Sequence, residues 1–406
     1  MKRGSVRRAR FAVGGLALLG LGAFIASCAG ADSTEDEPSP SVDAPAGDDA
    51  GSDTRTVADG GVDAEVDACE AEGGGCTEPE WVPVETGHPS GLGLGSIWGS
   101  GPNDVWMVGA KGSVIHWDGA TWTSTPIATN YSLQSVHGSG PNDVWVVSTA
   151  SLIYRSTGFS SGSATFVPQT ALFENAQFPN TVGALLAVWA PEAGDAWIGG
   201  RHRLSRGGQI ENSWRTSPGD GGVAWAPIGA FGGTHVINGI WGTGPNDAWM
   251  VGAKGTTLLS FASHTSGVSA TDGGMPTWTE VDTASFAVLH AIHGTGSKDV
   301  WAVGNAGTIR HFAGGATWDI VGSPTSQNLR GVWAAGSDDV WAVGENGTIL
   351  HYDGAAWTPS TVAMPVADQR DLYAVWGSGP ADVWAVGDGI VLHYSGPKPG
   401  PNGDAK

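Results

Sequence analysis

One short phrase, Asp-(Val/Ala)-Trp, recurs seven times in this chain, at Asp104–Trp106, Asp143–Trp145, Asp195–Trp197, Asp247–Trp249, Asp299–Trp301, Asp339–Trp341 and Asp382–Trp384. The steps between successive Asp residues are 39, 52, 52, 52, 40 and 43 residues. A period of about 40 to 50 residues, with glycine turns and short apolar runs, is the pattern of a β-propeller blade. The expected fold is therefore all-β, a seven-bladed β-propeller with four antiparallel strands per blade. In such a fold the 65 glycines and 20 tryptophans of the chain supply tight turns and large buried area.

Aligned on the Asp, the units share one plan. The first strand ends in an aromatic residue six positions earlier: Trp98, His137, Trp189, Trp241, His293, Trp333 and Trp376. Turn formers follow, as in Gly101-Pro102-Asn103-Asp104. The second strand is a short apolar run such as Val340-Trp341-Ala342-Val343, suited to a strand covered on both faces. Glu345-Asn346-Gly347 marks a tight hairpin, and Thr348 to Tyr352 is a third strand. The fourth carries Trp122, Phe166, Trp225, Trp278, Trp318 or Trp357.

The seventh unit lacks a fourth strand. Trp81, 17 residues before Trp98, stands at the spacing the other units show between fourth-strand and first-strand aromatics. The segment Trp81 to Val84 is thus expected to complete the last blade and lock the ring, removing exposed sheet edges.

Ahead of the repeats, Lys2, Arg3, Arg7, Arg8 and Arg10 precede an apolar run from Phe11 to Ile25, the order of a secretory signal peptide. Residues 29 to 80 carry sixteen acids against one arginine, with few large apolar groups. This composition suits a disordered acidic tether. Cys69 and Cys76 are expected to form a disulfide in an oxidising compartment. The expected organisation is a signal peptide over 1–27, a tether over 28–68, a disulfide-stapled junction over 69–79, the propeller over 80–396 and a disordered tail over 397–406.

Two resemblances follow. Ile25-Ala26-Ser27-Cys28 resembles the lipobox of bacterial lipoproteins. It implies lipidation of Cys28 and anchoring in the cell envelope, and Ala29 rather than Asp after the cysteine implies the outer membrane. Asp118-Gly119-Ala120-Thr121-Trp122 and Asp353-Gly354-Ala355-Ala356-Trp357 look like degenerate Asp-box (sialidase-type) repeats. The stretch 80–396 is similar to secreted bacterial propellers of that class, whose relatives include a photosystem II assembly factor family.

The net charge of −21 argues against nucleic acid as a partner. No metal or cofactor is expected, since no cysteine or histidine pattern suits one. A sialidase-type site would need an arginine cluster and a tyrosine nucleophile, whereas three of the domain's eight arginines crowd into one loop, the others are scattered without a family motif, and the chain has five tyrosines. The repeated Asp is read as a turn residue accepting from nearby backbone donors, and His116, His311, His351 and His393 as packing residues, with Tyr154 at that place in unit two. No catalytic residue is assigned, and the balance lies against an enzyme. The alternative is a glycan hydrolase or lyase with a site at the channel mouth.

The residues that break the repeat mark a candidate binding face. Lys111, Arg201, His202, Arg203 and Lys254 stand in turns between second and third strands, with Glu345 and Asp388 at the same place in later units. Linking loops add Tyr131, Phe173, Phe178, Phe231 and Phe286. Such a face suits an unidentified protein or cell-envelope glycan. Trp214, outside the repeated columns, is a further candidate for a surface role.

Overall fold

The structure, a computed structural model, describes residues 80–169, 183–206, 209–219, 222–229, 235–255, 257–267, 276–365 and 368–396. The signal segment, the tether, Cys28, Cys69, Cys76 and the tail fall outside these residues. Seven four-stranded antiparallel sheets form the blades of a propeller. Blade 1 shows the common plan, with strands Leu94–Gly101, Asp104–Gly109, Val114–Trp117 and Trp122–Ser124. The added residues of the middle units enlarge the hairpins of the common plan. Blade 2 carries an extra hairpin, Phe159–Ser160 with Ser163–Ala164, and in blade 3 the second and third strands lengthen to Asp195–Arg206 and Gln209–Gly219.

The Asp-(Val/Ala)-Trp phrase supplies two linked contacts per blade. Each second-strand Trp packs edge-on against the fourth-strand aromatic of the following blade. The pairs are Trp106–Phe166, Trp145–Trp225, Trp197–Trp278, Trp249–Trp318, Trp301–Trp357, Trp341–Trp81 and Trp384–Trp122, with ring centroids 5.1 to 6.0 Å apart and interplanar angles of 75° to 84°. This T-shaped geometry sets the positive edge of one ring against the negative face of the other. The apolar core is divided accordingly. Each of its seven clusters spans one blade interface, as where Trp106 and Val108 of blade 1 meet Val136 and Val144 of blade 2.

The Asp of the phrase anchors an imidazole or a guanidinium over the same Trp. His116, His264, His311, His351 and His393 place Nε2 2.6 to 2.8 Å from Asp104, Asp247, Asp299, Asp339 and Asp382. Their rings lie 3.8 to 4.4 Å from the Trp centroids. In blades 2 and 3, Arg155 and Arg215 make the equivalent pairs with Asp143 and Asp195 and lie over Trp145 and Trp197. The Asp is thus held chiefly by side chains rather than by the backbone donors expected. A hydroxyl adds a further bond in several blades, as from Ser100 to Asp104 at 2.6 Å. Burial alone would raise the carboxyl of Asp104, but the bonds from His116 and Ser100 outweigh it and hold the pKa below the usual carboxylate value. The residue of blade 2 in this register is Arg155, opposite Trp145, and not Tyr154, because the polar tip and not the aromatic ring is what the Asp selects.

Closure occurs as the spacing predicts. Trp81–Pro83 pairs antiparallel with the third strand of blade 7, Trp81 opposite Tyr394. Its other edge is also bonded, Trp81 N donating to Thr361 O at 3.1 Å and Ala363 N to Trp81 O at 2.8 Å. Trp81 is fully buried.

The aromatic column at the end of the first strands carries a second pattern. In four places a side chain at the next blade's glycine would sit 2.6 to 2.8 Å from the preceding Trp: Gly99 with Trp376, Gly138 with Trp98, Gly294 with Trp241 and Gly377 with Trp333. That added Cβ would also crowd the carbonyl of the blade's own Asp. Where the column holds the smaller imidazole, the next blade has alanine instead. Ala190 N donates to His137 Nδ1 and Ala334 N to His293 Nδ1, each at 3.1 Å. Burial disfavours the imidazolium and lowers the pKa of His137 to about 3 and of His293 to about 4.

Two expectations follow from these contacts. Trp81→Ala should destabilise the domain by about 3–5 kcal/mol, and removal of residues 77–86 by more; an unchanged thermal melt would refute the closure. His293→Trp should cost about 1–3 kcal/mol through overpacking against Ala334, and His293→Trp/Ala334→Gly should recover most of it. Both histidine pKa values lie below the ordinary 6.5. Their contribution is therefore complete above pH about 6.5 and declines as the pH falls towards 4, where the unfolded chain takes up protons the fold excludes. The double variant should accordingly lose less melting temperature than the parent between pH 7 and 4.

Candidate functional site

The turns between second and third strands share one face with the links from one blade to the next. Gly112 N donates to Tyr131 O and Gly307 N to Gln327 O, which ties turn to link. At Asn346 and Gly347 the backbone is left-handed, with φ of 53° and 65°, as an Asn-Gly turn favours.

On this face the central channel opens into a cavity of about 820 Å³, lined from all seven blades. The volume falls within the range of ligand sites, roughly 300–1,000 Å³. Its wall is built by the first strands. Immediately after the buried Leu or Ile that anchors each first strand comes a residue that faces the channel: Gly95, Gln134, Leu186, Asn238, His290, Arg330 and Tyr373. Seven blades carry seven different residues here, although the positions on either side repeat closely. A repeat needs its packing residue in every blade, whereas a ligand needs each contact once. These residues escape a search for charged turns. Their signal in the sequence is a column of disagreement beside a column of leucine.

The rim has distinct sectors. Leu186, Val236 and Leu258 give blades 3 and 4 an apolar patch beside Arg201 and Asn238, and Leu258 is half exposed and left-handed with φ of 52°. Blades 5 and 6 carry a closed polar network. Arg330 Nη1 lies 3.0 Å from His290 Nε2 and Nη2 donates to Glu345 Oε1, while Asn328 Nδ2 donates to Glu345 Oε2 at 2.8 Å. The side-chain amide of Asn305 lies 2.5 Å from His290 Nε2. The bonds from Asn328 and Arg330 hold the Glu345 carboxyl below its usual pKa. Burial, and after it the charge of Arg330, keeps His290 below the usual imidazole value against the opposing bond to Asn305. For Tyr373, burial and then Asp388 and Asp371 raise the phenol. Among the described residues no three His, Cys, Asp or Glu side chains gather as a metal site.

Of the residues singled out from the sequence, Arg201 and Asp388 line this mouth. Glu345 lies beside it, engaged by Arg330. Lys111 is exposed at the apex of its turn with φ of 54°. Lys254 pairs with Glu280, so its charge is met within its own blade. Tyr131 and Phe286 are exposed at 53% and 84%. The side chains of His202 and Arg203, and all of Phe173, Phe178 and Phe231, lie outside the described residues. Trp214 is no surface residue. It is buried at 3% in the core between blades 2 and 3, opposite Ile198 and Pro227, because its strand alternation turns Arg215 towards Asp195 and Trp214 towards the core.

No family model matches the chain, and no curated protein is significantly similar in sequence. Solved structures do share its fold. The chain is similar to YCF48 bound to D1 peptide, with a TM-score of 0.57 and 19% identity over 79% of this chain and 98% of that one. YCF48 from Cyanidioschyzon merolae gives 0.56 and 19% over 78% and 98%. The WD40 β-propeller domain of Doa1 gives 0.54 and 12% over 75% and 93%. At these identities the likeness is one of fold: a seven-bladed propeller similar to YCF48.

Proposed function

We propose that this protein is a non-enzymatic binding propeller of the cell envelope that takes a segment of a partner protein at its channel mouth. The observation that carries this is the ring of seven unlike residues, Gly95 to Tyr373, set in an otherwise repetitive wall. A polar network prearranged by Arg330, Glu345 and His290 fits binding, since fixed side chains lose little freedom when a ligand arrives. One similar propeller is described as bound to a peptide, which supports a protein partner over a glycan. Acid–base catalysis of glycan cleavage would call for a carboxyl held protonated near neutral pH. Glu345, the carboxyl of the network beside the mouth, is held below its usual value by Asn328 and Arg330, which suits a fixed acceptor rather than a proton donor. Anchoring through a lipid on Cys28, with the propeller carried on an acidic tether in the outer membrane, rests on the sequence of residues 1–68.

Gly95 offers a clean test of the mouth. A Cβ there would meet nothing nearer than Leu133 O at 3.4 Å, so Gly95→Trp fills the cavity without disturbing the wall. Cross-linked partner recovered from envelope extract with the parent should be lost with Gly95→Trp at an unchanged melting temperature; equal recovery would refute the mouth as the site. Cys28→Ala should move the protein from the membrane pellet to the soluble fraction, and retention in the pellet would refute the anchor.

A further inference from the structure

The mouth's hydrogen-bonding groups divide into those already engaged and those left open. Asn238 donates to Leu289 O at 2.8 Å, and His290, Asn305, Asn328 and Arg330 belong to the network around Glu345. Gln134, Arg201, Tyr373 and Asp388 line the same cavity, and their side chains have no hydrogen-bond partner among the described residues. These open groups fall at two places. Gln134 and Arg201 belong to blades 2 and 3, while Tyr373 and Asp388 belong to blade 7. Arg201 and Asp388 stand three blades apart, the widest separation a ring of seven permits.

The rim between them carries small residues. Blade 1 lines the mouth with Gly93, Gly95 and Gly109 and with Ser96 and Ala110, so main chain can approach closely there. An apolar wall, Leu186 and Leu258, flanks the Arg201 pole.

From this arrangement, and resting on the mouth as the binding site, we infer that the occupant is an extended peptide segment carrying one acidic and one basic side chain. The acidic group meets Arg201 and Gln134. The main chain crosses the glycine rim of blade 1, and the basic group meets Asp388 and the Tyr373 hydroxyl. Opposed charges at the two poles select against segments of uniform sign, because like charge facing like charge costs more than a solvated charge gains. The network on blades 5 and 6 adds shape and little discrimination, since its charges already satisfy one another.

The test uses the full-length protein and fluorescently labelled hexapeptides with amidated C-termini and labels blocking their N-termini. Their end residues are Glu and Lys, two Gln, two Glu or two Lys, around a common Leu-Ser-Ala-Leu centre. The parent should bind the Glu/Lys peptide about tenfold more tightly than the Gln/Gln peptide at low salt, with the difference shrinking as salt rises. Arg201→Glu gives two acidic poles and should shift the preference to the Lys/Lys peptide; Asp388→Lys gives two basic poles and should shift it to the Glu/Glu peptide. Because neither side chain holds a bond among the described residues, both variants should melt with the parent. Equal binding of all four peptides by the parent, or preferences unmoved by the substitutions, overturns the inference while leaving the mouth as a peptide site. Absence of binding by every peptide also overturns it, and the proposed function falls with it only if Gly95→Trp retains the partner.

Discussion

Everything in this propeller hangs on a tryptophan contacted on two sides. A carboxylate fixes an imidazole or guanidinium over the ring of each second-strand Trp, and each Trp in turn meets an aromatic residue of the next blade edge-on. Blades are separate sheets joined by no continuous backbone ladder, only by isolated bridges such as Trp81–Val362, so side chains chiefly set their spacing and rotation. A T-shaped pair has a preferred angle and distance in a way that aliphatic packing does not. Repeated seven times within a narrow spread, it gives the ring a uniform pitch. The Asp contributes by immobilising the imidazole or guanidinium that covers one face of the indole.

The inner wall illustrates how a repeat accommodates variation without losing register. Trp faces glycine across four of the blade junctions, and His faces alanine across two others. Space removed from one side is returned to the other, so the exchange stays within a junction and the channel keeps its bore. The mouth is the reverse case. Its residues face open channel, where no neighbouring blade dictates size, and seven different side chains are tolerated on seven nearly equivalent strands.

The sequence made the blade count, the aromatic columns and the closing strand legible because each depends on spacing along one segment. His264 and Arg215 were hidden. They lie 17 and 20 residues beyond their Asp partners, where His116, Arg155, His311 and His351 lie at 12, because the lengthened hairpins of blades 3 and 4 displace them. Arg155 was hidden for another reason, since Tyr154 beside it looks like the better match to a histidine. Trp214 was misjudged because alternation within a strand cannot be phased when its start is unknown. The mouth residues needed the fold itself, which brings seven first strands to one axis and so turns scattered differences into a single surface.

The clasp between Trp81 and Tyr394 joins residues 313 positions apart in the chain. Loop-closure entropy grows only about 0.6 kcal/mol for each doubling of length, so so long a loop is tolerable at equilibrium. In time it is demanding, for contacts between distant segments form late. The earliest strand to emerge from synthesis must wait, unpaired, for the final hairpin to arrive. Assembly of the ring is thus an end-to-end event, and a chain lacking either terminus keeps the same seam open.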